Sequence, residues 1–333
     1  MRVLITAPYH EKAQQELAAI AGEIIYKPWK QQERAYNEQE LVELLRSTEA
    51  DAFITEHDQV TAAVIRRNPH LRFIGVCRGT PSNVAVAVAS EMNIPVFYTP
   101  ARNAQAVAEM FIANVVTLLR NTIPARQWLL DEQWEAGAHT SYLQFKGQEL
   151  AGKTVGMVGF GAIGQRIAHM IKDYPCYIQY YDPFISSIQK EFRRLPLEEV
   201  FSSSDIVSVH LPANEHTEGM IDGALFSRMR RGAFFVNTSR AMVVKSGDLL
   251  DALETGQIGG AVLDVFDHEP PDELDYRIIH HPNVLATPHI AGATFEVEDH
   301  HADIMNRAVL NWFAQGEKDT RLLVNKDILT IKR

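Results

Sequence analysis

Short runs of apolar, mostly β-branched residues alternate with longer amphipathic stretches along the chain, and the alternation occurs in two series. In the first series, helix patterns over residues 11–20 and 37–45 separate the apolar runs. The runs lie at residues 3–6, 24–26, 52–54, 71–76 and 94–98. Strands that alternate with helices in this way are typical of a parallel sheet with helices packed on its faces. This part of the chain is therefore predicted to form an α/β domain.

The second series is sharper and begins with a strand pattern at residues 154–158 that leads into a glycine turn. Ile163, Ile167 and Ile171 then recur at every fourth position, which places them on one face of a helix. Further strand patterns lie at residues 177–181, 206–209, 233–237, 261–264 and 284–287. Between them, Ser246 is a predicted N-cap of a short helix that ends at Gly256. A last helix is expected up to Gly316.

The two series are joined by residues 104–119, which are apolar nearly all round. A helix without a polar face is buried, and we expect this one to lie between domains or against another subunit. The next stretch, residues 127–148, contains Trp128, Trp134, Tyr142 and Phe145. Its aromatic content favours an irregular but packed arm over a flexible linker.

Composition and charge narrow the class of protein. The 333 residues correspond to about two domains of typical size, and a hydrophobic content of 46% is typical of a globular protein. The net charge of -10 argues against a nucleic-acid surface, because phosphate binding requires an excess of Lys and Arg. Cys77 and Cys176 are too few for a disulfide framework, and no apolar run approaches the ~18 residues of a membrane span. Since the first apolar stretch is also too short for a signal peptide, we expect a cytoplasmic protein without a nucleic-acid or membrane partner.

Gly159, Gly161 and Gly164 have the G-x-G-x-x-G spacing, directly after a predicted strand and at the start of a predicted helix. In this context the first glycine permits a tight turn, the second lets the backbone approach a pyrophosphate, and the third lets helix and strand pack closely. The helix N-terminus adds a partial positive charge. A glycine-rich turn without a ligand is the alternative interpretation.

Asp182, at the end of the next strand, can accept hydrogen bonds from ribose hydroxyls. Neither of the two residues after it is an Arg that could receive a 2′-phosphate. The pattern favours NAD over NADP.

Three polar residues follow the ends of three predicted strands in the second series. Arg240 offers a planar guanidinium that suits a carboxylate, although a surface salt bridge is the alternative. His289 is one of 13 histidines, and a purely structural role is its alternative. Glu269 is a candidate carboxylate neighbour for that histidine, and such a pair suits proton transfer near neutral pH. Taken together, the three residues favour a catalytic site, because ligands of α/β sheets bind at the carboxyl ends of strands.

Two other patterns suggest a metal site and a phosphate loop, but neither is interpreted as a binding site. His300 and His301, with Asp299 and Asp303, contain acidic and imidazole groups, but they lack metal-ligand spacing and are predicted to lie on a solvated helix. No metal is therefore expected. Residues 147–154 match the spacing of a phosphate loop, but they lead into a strand rather than a helix, and the match is rejected.

Four motifs occur in order along the chain: VGMVGFGAIG at residues 155–164, NTSR at 237–240, LDVF at 263–266 with Glu269 and Pro270, and TPH at 287–289. Together they closely resemble the D-isomer-specific 2-hydroxyacid dehydrogenase family, which includes phosphoglycerate dehydrogenases and glyoxylate/hydroxypyruvate reductases. The resemblance implies two Rossmann- or flavodoxin-like parallel-sheet α/β domains, with an NAD-binding domain (102–292) inserted into a substrate-binding domain (1–101 and 293–333). It also implies NAD as cofactor, a small 2-oxo or 2-hydroxy acid as substrate, and a homodimer.

The resemblance also implies roles for single residues. Arg240 would hold the substrate carboxylate and carbonyl, His289 would be the acid/base, and Glu269 would pair with it. The cofactor-binding positions would be Gly159, Gly161, Ala162, Ile163 and Gly164 in the glycine loop, Asp182 at the adenosine ribose, Asp264 near the nicotinamide, Pro212 and Thr217 in a covering loop, and Thr238 and Val107. Arg78, Gly79 and Thr80 would bind the substrate. Their loop reads CRGTPSN at residues 77–83, where many members have a Gly-Val-Gly-Val-Asp-Asn-like segment, so the substrate's identity stays open.

The sequence thus predicts an NAD-dependent oxidoreductase that transfers hydride between NAD(H) and a small 2-oxo acid. Two alternatives stay open, an NAD(H)-binding sensor of the corepressor type and a phosphite-type dehydrogenase. Formate oxidation is disfavoured, because it needs no proton transfer to a carbonyl oxygen and would leave a Glu269–His289 pair without a purpose.

Overall fold

The computed structural model of the protein describes residues 1–134, 138–185, 191–313 and 319–330. The chain divides into two compact units. Unit 1 comprises Met1–Asn103 and Thr294–Arg333, and unit 2 comprises Ala104–Ala293. Unit 1 is therefore built from both ends of the chain and unit 2 from its middle.

Strands and helices alternate in both units. The strands are β1 (Arg2–Ile5), β2 (Glu23–Tyr26), β3 (Ala52–Thr55), β4 (Ile74–Val76), β5 (Val96–Tyr98), β6 (Thr154–Val158), β7 (Tyr177–Tyr181), β8 (Arg193–Arg194), β9 (Ile206–Val209), β10 (Ala233–Asn237), β11 (Ile258–Leu263) and β12 (Val284–Ala286). The helices are α1 (Glu11–Ala21), α2 (Glu38–Ser47), α3 (Ala62–Arg67), α4 (Val86–Glu91), α5 (Ala104–Leu119), α6 (Thr122–Leu130), α7 (Ala138–Gln144), α8 (Ala162–Ile171), α9 (Leu197–Ser203), α10 (Gly223–Arg228), α11 (Ser246–Glu254), α12 (Glu273–Ile279) and α13 (Phe295–Phe313).

In the described part of unit 1, five parallel strands lie in the order β2-β1-β3-β4-β5, which is the order of flavodoxin-like folds. Neighbouring residues of a strand point to opposite faces of the sheet, and both faces are apolar here. Val3 packs in a cluster with Leu17 of α1 and Met305 of α13. Leu4 packs on the other face in a cluster with Leu41 of α2. Unit 1 is thus a sheet with a hydrophobic core on each side.

Unit 2 contains, among its described residues, seven parallel strands in the order β12-β11-β10-β9-β6-β7-β8. The order reverses between β6 and β9, and open α/β sheets bind ligands outside the carboxyl ends of their strands at such a point. One core contains Phe111 of α5 and Ile167 of α8, with the Phe160 ring stacked on Tyr180 at a centroid distance of 4.0 Å. The predicted fold of two parallel-sheet α/β domains is confirmed.

The segment after α5 differs from its prediction as an irregular arm, because α6 and α7 make much of its described part helical. The aromatic packing centres on buried Trp128, whose ring lies 5.8 Å from that of Trp134 and 5.5 Å from that of Phe145. Tyr142 does not share in it and is 68% exposed. The helix pattern was obscured because the exposed face of these helices also carries apolar side chains.

Two predicted helix ends need comment. Ser246 is the first residue of α11 rather than its N-cap, because its hydroxyl donates to Asp267 at 2.6 Å and Lys245 stands in the cap position. The last helix, α13, is described as far as Phe313, and its expected end at Gly316 lies outside the described residues. Among the described helices, none alone has the length and apolar character to cross a membrane, and only α5 and α6 together, bent by 64°, meet that criterion.

Candidate active site

The three glycines of the loop between β6 and α8 have different surroundings. Gly159 has a φ of +91°, and a Cβ on it would lie 2.8 Å from the carbonyl oxygen of His210. A Cβ on Gly164 would lie 2.6 Å from the carbonyl oxygen of Gly159. Among the described residues, a Cβ on Gly161 meets no atom within 4 Å, and no side chain caps the helix that follows. The outer glycines are therefore required by the protein's own packing, whereas Gly161, beside Ala162 and Ile163 in the first helical turn, leaves room for an external group.

Asp182, directly after β7, is nearly buried, and its carboxylate holds the neighbouring backbone. Oδ2 accepts the N–H of Phe160 at 2.8 Å, and Oδ1 accepts those of Phe184 at 2.9 Å and Ile185 at 3.3 Å. A carboxylate has about four acceptor sites, so a further donor can still bind. Arg194, which the sequence analysis did not consider, donates to the carbonyl of Asp182 at 2.8 Å and to that of Ile185 at 2.9 Å. A guanidinium is therefore close to this aspartate, although neither of the two residues directly after it is an arginine.

The loop after β10 is shaped by the side chain of Asn237. Its Oδ1 accepts the N–H and the hydroxyl of Ser239 at 3.0 and 2.9 Å, and its Nδ2 donates to the carbonyl of Arg240 at 3.0 Å. The exposed guanidinium of Arg240 donates to the carbonyl of Ser239 at 2.6 Å, and the described residues place no carboxylate in an ion pair with it. Thr238 is buried, and its hydroxyl has no hydrogen-bond partner in the described part of the chain. The loop thus presents a cation that can bind an anionic group.

Glu269 and His289 form a hydrogen-bonded pair beyond the ends of β11 and β12. Nδ1 of the imidazole lies 2.9 Å from Oε1 and 3.0 Å from Oε2 of the carboxylate. Both side chains are about half exposed. Because the carboxylate can only accept, Nδ1 carries a proton and Nε2 is left to exchange a proton with another molecule.

A third carboxylate, that of buried Asp264 at the end of β11, holds the loop around His289. Oδ1 accepts from the hydroxyl of Thr287 at 2.5 Å and from the N–H of Ile290 at 2.9 Å, and Oδ2 accepts the N–H of Ala291 at 2.8 Å. His289 itself has a φ of +54°, a conformation that residues other than glycine adopt at a cost. The contacts of Asp264 on both sides of this residue maintain that conformation.

The loop after β9 supplies two further polar groups. The hydroxyl of Thr217 donates to the carbonyl of Pro212 at 2.6 Å and accepts the N–H of Asn214 at 3.0 Å, which closes a compact turn. Burial lowers the pKa of His210 to about 3, so its ring is neutral at physiological pH. Nε2 of His210 lies 3.0 Å from the hydroxyl of Ser208, and Nδ1 has no partner among the described residues. His210 was missed in the sequence because nothing in its local pattern distinguishes it from the other histidines.

The remaining predicted positions lie on defined elements. Val107 is buried in α5, which packs on α8 and on β11 and β12. In unit 1, Arg78, Gly79 and Thr80 follow β4, where the carbonyl of Arg78 accepts the N–H of Thr99 at 3.0 Å. A Cβ on Gly79 meets no atom of the described residues within 4 Å, so this loop leaves its backbone open to other groups.

The prediction that His301 lies on a solvated helix face is wrong. Its side chain is fully buried in unit 1, and burial lowers its pKa to about 4. One guanidinium nitrogen of Arg102 donates to Glu56 at 2.6 Å and contacts Nδ1 of His301 at 3.0 Å. Since arginine can only donate, Nδ1 is the acceptor, and Nε2 donates to the carbonyl of Pro8 at 2.6 Å. The histidine is a neutral, fully hydrogen-bonded core residue.

Comparison with known proteins places the whole chain in one group. Residues 112–291 match the NAD binding domain of the D-isomer specific 2-hydroxyacid dehydrogenases. YoaD of Bacillus subtilis (strain 168), a 2-hydroxyacid dehydrogenase by name, is 55% identical over 329 residues, which are 99% of this chain and 96% of YoaD. A hydroxypyruvate reductase of Thermotoga maritima is 33% identical over 241 residues, 72% of this chain and 77% of that protein.

Solved structures give the same result for the fold. D-2-hydroxyisocaproate dehydrogenase superposes with a TM-score of 0.82 at 23% identity, over 97% of this chain and 99% of that one. The sequence matches and the fold agree, and the chain belongs to the D-isomer-specific 2-hydroxyacid dehydrogenase family of oxidoreductases, with an NAD-binding domain in its central part.

Proposed function

We propose that the protein catalyses reversible hydride transfer between NAD(H) and a small 2-oxo or 2-hydroxy acid. The observation that carries the proposal is the Glu269–His289 pair, with Nδ1 between 2.9 and 3.0 Å from the two carboxylate oxygens. An imidazole held through Nδ1 has one nitrogen left for proton transfer, and it is the group that reduction of a carbonyl requires. The exposed guanidinium of Arg240, at the end of a nearby strand of the same sheet, supports binding of an acid.

In the proposed reaction, Arg240 binds the substrate carboxylate and orients the carbonyl. Nε2 of protonated His289 donates to the carbonyl oxygen during reduction, and neutral His289 removes the hydroxyl proton during oxidation. Glu269 stabilises the imidazolium through Nδ1. The nicotinamide, when bound, supplies or accepts the hydride. Binding of the substrate by Arg78, Gly79 and Thr80 stays a prediction of the sequence.

The residues of unit 2 fit a dinucleotide. Within the described part of the chain, the open space at Gly161 and the uncapped start of α8 suit a pyrophosphate. The buried Thr238 hydroxyl has no partner among these residues, and a bound cofactor can supply one. Asp182 is proposed to accept hydrogen bonds from the ribose hydroxyls, with Asp264, Pro212, Thr217 and Val107 along the rest of the cofactor.

NAD is the proposed cofactor, because the carboxylate of Asp182 would repel a 2′-phosphate of about -2 charge. We expect kcat/KM to favour NADH over NADPH by at least roughly tenfold, or ~1.4 kcal/mol, with a smaller ratio at high salt. Steady-state kinetics with both cofactors test this directly. Equal efficiencies in the wild-type protein would contradict the role given to Asp182.

The function is tested by following NADH absorbance with a panel of 2-oxo acids that includes glyoxylate, hydroxypyruvate and longer analogues. His289→Gln should lower kcat by ~10²–10⁴ on the best substrate. His281→Gln is the matched control, since His281 lies in the same unit but outside the proposed site, and it should keep wild-type turnover. Full activity of the His289 variant would disprove its role. Binding of NADH without oxidation by any 2-oxo acid would favour the sensor function instead.

A homodimer is proposed from an apolar surface on α6 and α7. Among the described residues, Ile123, Leu129, Leu130, Tyr142 and Leu143 are each more than half exposed. Large apolar side chains that stay exposed on two consecutive helices suit an interface between subunits. A cytoplasmic location and the lack of nucleic-acid or membrane partners stay predictions from composition.

A further inference from the structure

One buried carboxylate ties the loop that carries Glu269 to the start of α12. Asp275 is 2% exposed and accepts three backbone hydrogen bonds, from the N–H groups of Asp267 at 3.3 Å, His268 at 3.1 Å and Asp272 at 3.2 Å. Asp272 returns the contact, because its own carboxylate accepts the N–H of Asp275 at 2.9 Å. Glu269 lies within this loop, one residue after His268.

The contacts of Asp275 require a carboxylate rather than an amide. Oδ1 serves one backbone donor, and Oδ2 serves two backbone donors and contacts Nδ1 of His268 at 3.2 Å. An asparagine has one acceptor oxygen, so at least one N–H of the loop would lose its partner. His268, Asp272 and Asp275 also bring possible metal-ligand atoms within 4.8 Å of one another. The hydrogen bonds to Asp275 account for this cluster without an ion.

Glu269 depends on its loop for its position. Its carboxylate is about half exposed, and in the described part of the chain its hydrogen bonds go only to His289. The other member of the pair is fixed by Asp264, which holds the residues around His289. Each half of the pair is thus held by a different buried aspartate, and a displacement of about 1 Å in such a site can cost ~10²-fold in rate.

We propose that Asp275 is a positioning residue for the Glu269–His289 pair, which it supports by fixing the loop of Glu269. At 2% exposure it would act through this loop and not by contact with the substrate or the cofactor. This inference rests on the proposed function, because the proposed function gives the Glu269–His289 pair the role that Asp275 supports.

A double-mutant cycle tests the inference, with NADH and the best 2-oxo acid from the panel. Asp275→Asn should lower kcat about ten- to a hundredfold and leave NADH affinity within about twofold, as judged by fluorescence titration. In the Glu269→Gln background, the same change should alter kcat by less than about twofold, because the group being positioned is already neutral. Glu40→Gln is the matched control, since Glu40 occupies the same place in the capping box of α2 in unit 1, and it should leave kcat unchanged.

A readout without turnover accompanies the kinetics. In NMR spectra of the histidine rings, Asp275→Asn and Glu269→Gln should shift the resonances of His289 in the same direction, and Glu40→Gln should not. If Asp275→Asn does not fold, Asp272→Asn weakens the same capping box more mildly and enters the same cycle.

The outcomes separate the two hypotheses. Losses that multiply in the double variant, or an unchanged kcat in Asp275→Asn, overturn the positioning role and leave the proposed function intact. Wild-type turnover in Glu269→Gln overturns the role of the pair, and the positioning role with it.

Discussion

Replacing Gly161 by alanine should weaken dinucleotide binding without weakening the fold. In the part of the chain that the structure describes, a Cβ at this position meets no atom within 4 Å, and the φ of -70° is accessible to alanine. We therefore expect the free energy of unfolding to change by less than about 0.5 kcal/mol. The same Cβ would occupy the space in which the backbone approaches a pyrophosphate. NADH affinity should fall at least about tenfold, which corresponds to ~1.4 kcal/mol.

Gly164→Ala gives the opposite result on stability. Its Cβ would lie 2.6 Å from the carbonyl oxygen of Gly159, a backbone atom that cannot rotate away. Overpacking of this kind costs about 1–3 kcal/mol, and each kcal/mol lowers Tm by roughly 2–4 °C in a domain of this size. Gly247→Ala serves as the neutral control, because its Cβ also meets no atom within 4 Å and it lies on α11.

The assay pairs thermal unfolding of the free protein by circular dichroism with a fluorescence titration of NADH. The reasoning predicts a stable, weak-binding Gly161 variant and a destabilised Gly164 variant, with Gly247→Ala unchanged in NADH affinity. Wild-type NADH affinity in folded Gly161→Ala would refute the assignment of this loop to the pyrophosphate. A Gly164→Ala variant as stable as the wild type would show that the helix can shift away from the strand.

Three further predictions follow from charges and exposed surface. Arg194→Gln should lower kcat/KM for NADPH several-fold more than for NADH, because its guanidinium is held at the end of β7 where a 2′-phosphate would lie. Arg193→Gln should leave the NADPH-to-NADH ratio of kcat/KM unchanged. An unchanged ratio in both variants would contradict the role given to Arg194. Urea should unfold the protein more easily at pH 5 than at pH 7, because His301 has a pKa of about 4 when folded and about 6.5 when unfolded, so the unfolded chain binds more protons. This residue alone should lower the free energy of unfolding by up to about 1.4 kcal/mol per pH unit, and buried His210 acts in the same direction. His301→Gln should reduce the slope, and an equal slope would assign it to other groups. Tyr142→Ser combined with Leu143→Ser should convert dimers to monomers in sedimentation velocity, and persistence of the dimer would exclude this surface.

The strands of both sheets could be predicted because their signal is local. Buried strands of parallel sheets are continuous apolar runs, and Val155 to Val158 or Ile206 to Val209 are recognisable without any knowledge of their neighbours. β8 was missed because it has no such signal: it consists only of Arg193 and Arg194, which lie at an exposed edge of the sheet. Local patterns therefore predict the strands that contain apolar residues, including the edge strands β2 and β12, and miss an edge strand that has none.

Contacts between distant parts of the chain could not be predicted. His300 and His301 are neighbours in sequence, but only His301 is fully buried, and its partner Arg102 is 199 residues away. In the same way, Arg194 reaches the carbonyl of Asp182 only because β8 pairs with β7. Such contacts depend on strand order, and the apolar pattern of the sequence gives the strands without their order.

The acidic residues near His289 illustrate a further limit of sequence reasoning. Asp264, Glu269 and Asp275 lie within twelve residues, and the sequence offers each of them equally as a carboxylate. Burial divides their roles. Asp264 and Asp275 are 1% and 2% exposed and accept backbone N–H groups, and Asp275 also contacts Nδ1 of His268. Glu269 is 47% exposed, and among the described residues its hydrogen bonds go only to the imidazole of His289. A buried carboxylate must be fully hydrogen-bonded to be tolerated, which commits it to the backbone. Only the exposed carboxylate pairs with the histidine that we propose as the acid/base, and the proposed chemistry therefore depends on which acid the fold leaves in solvent.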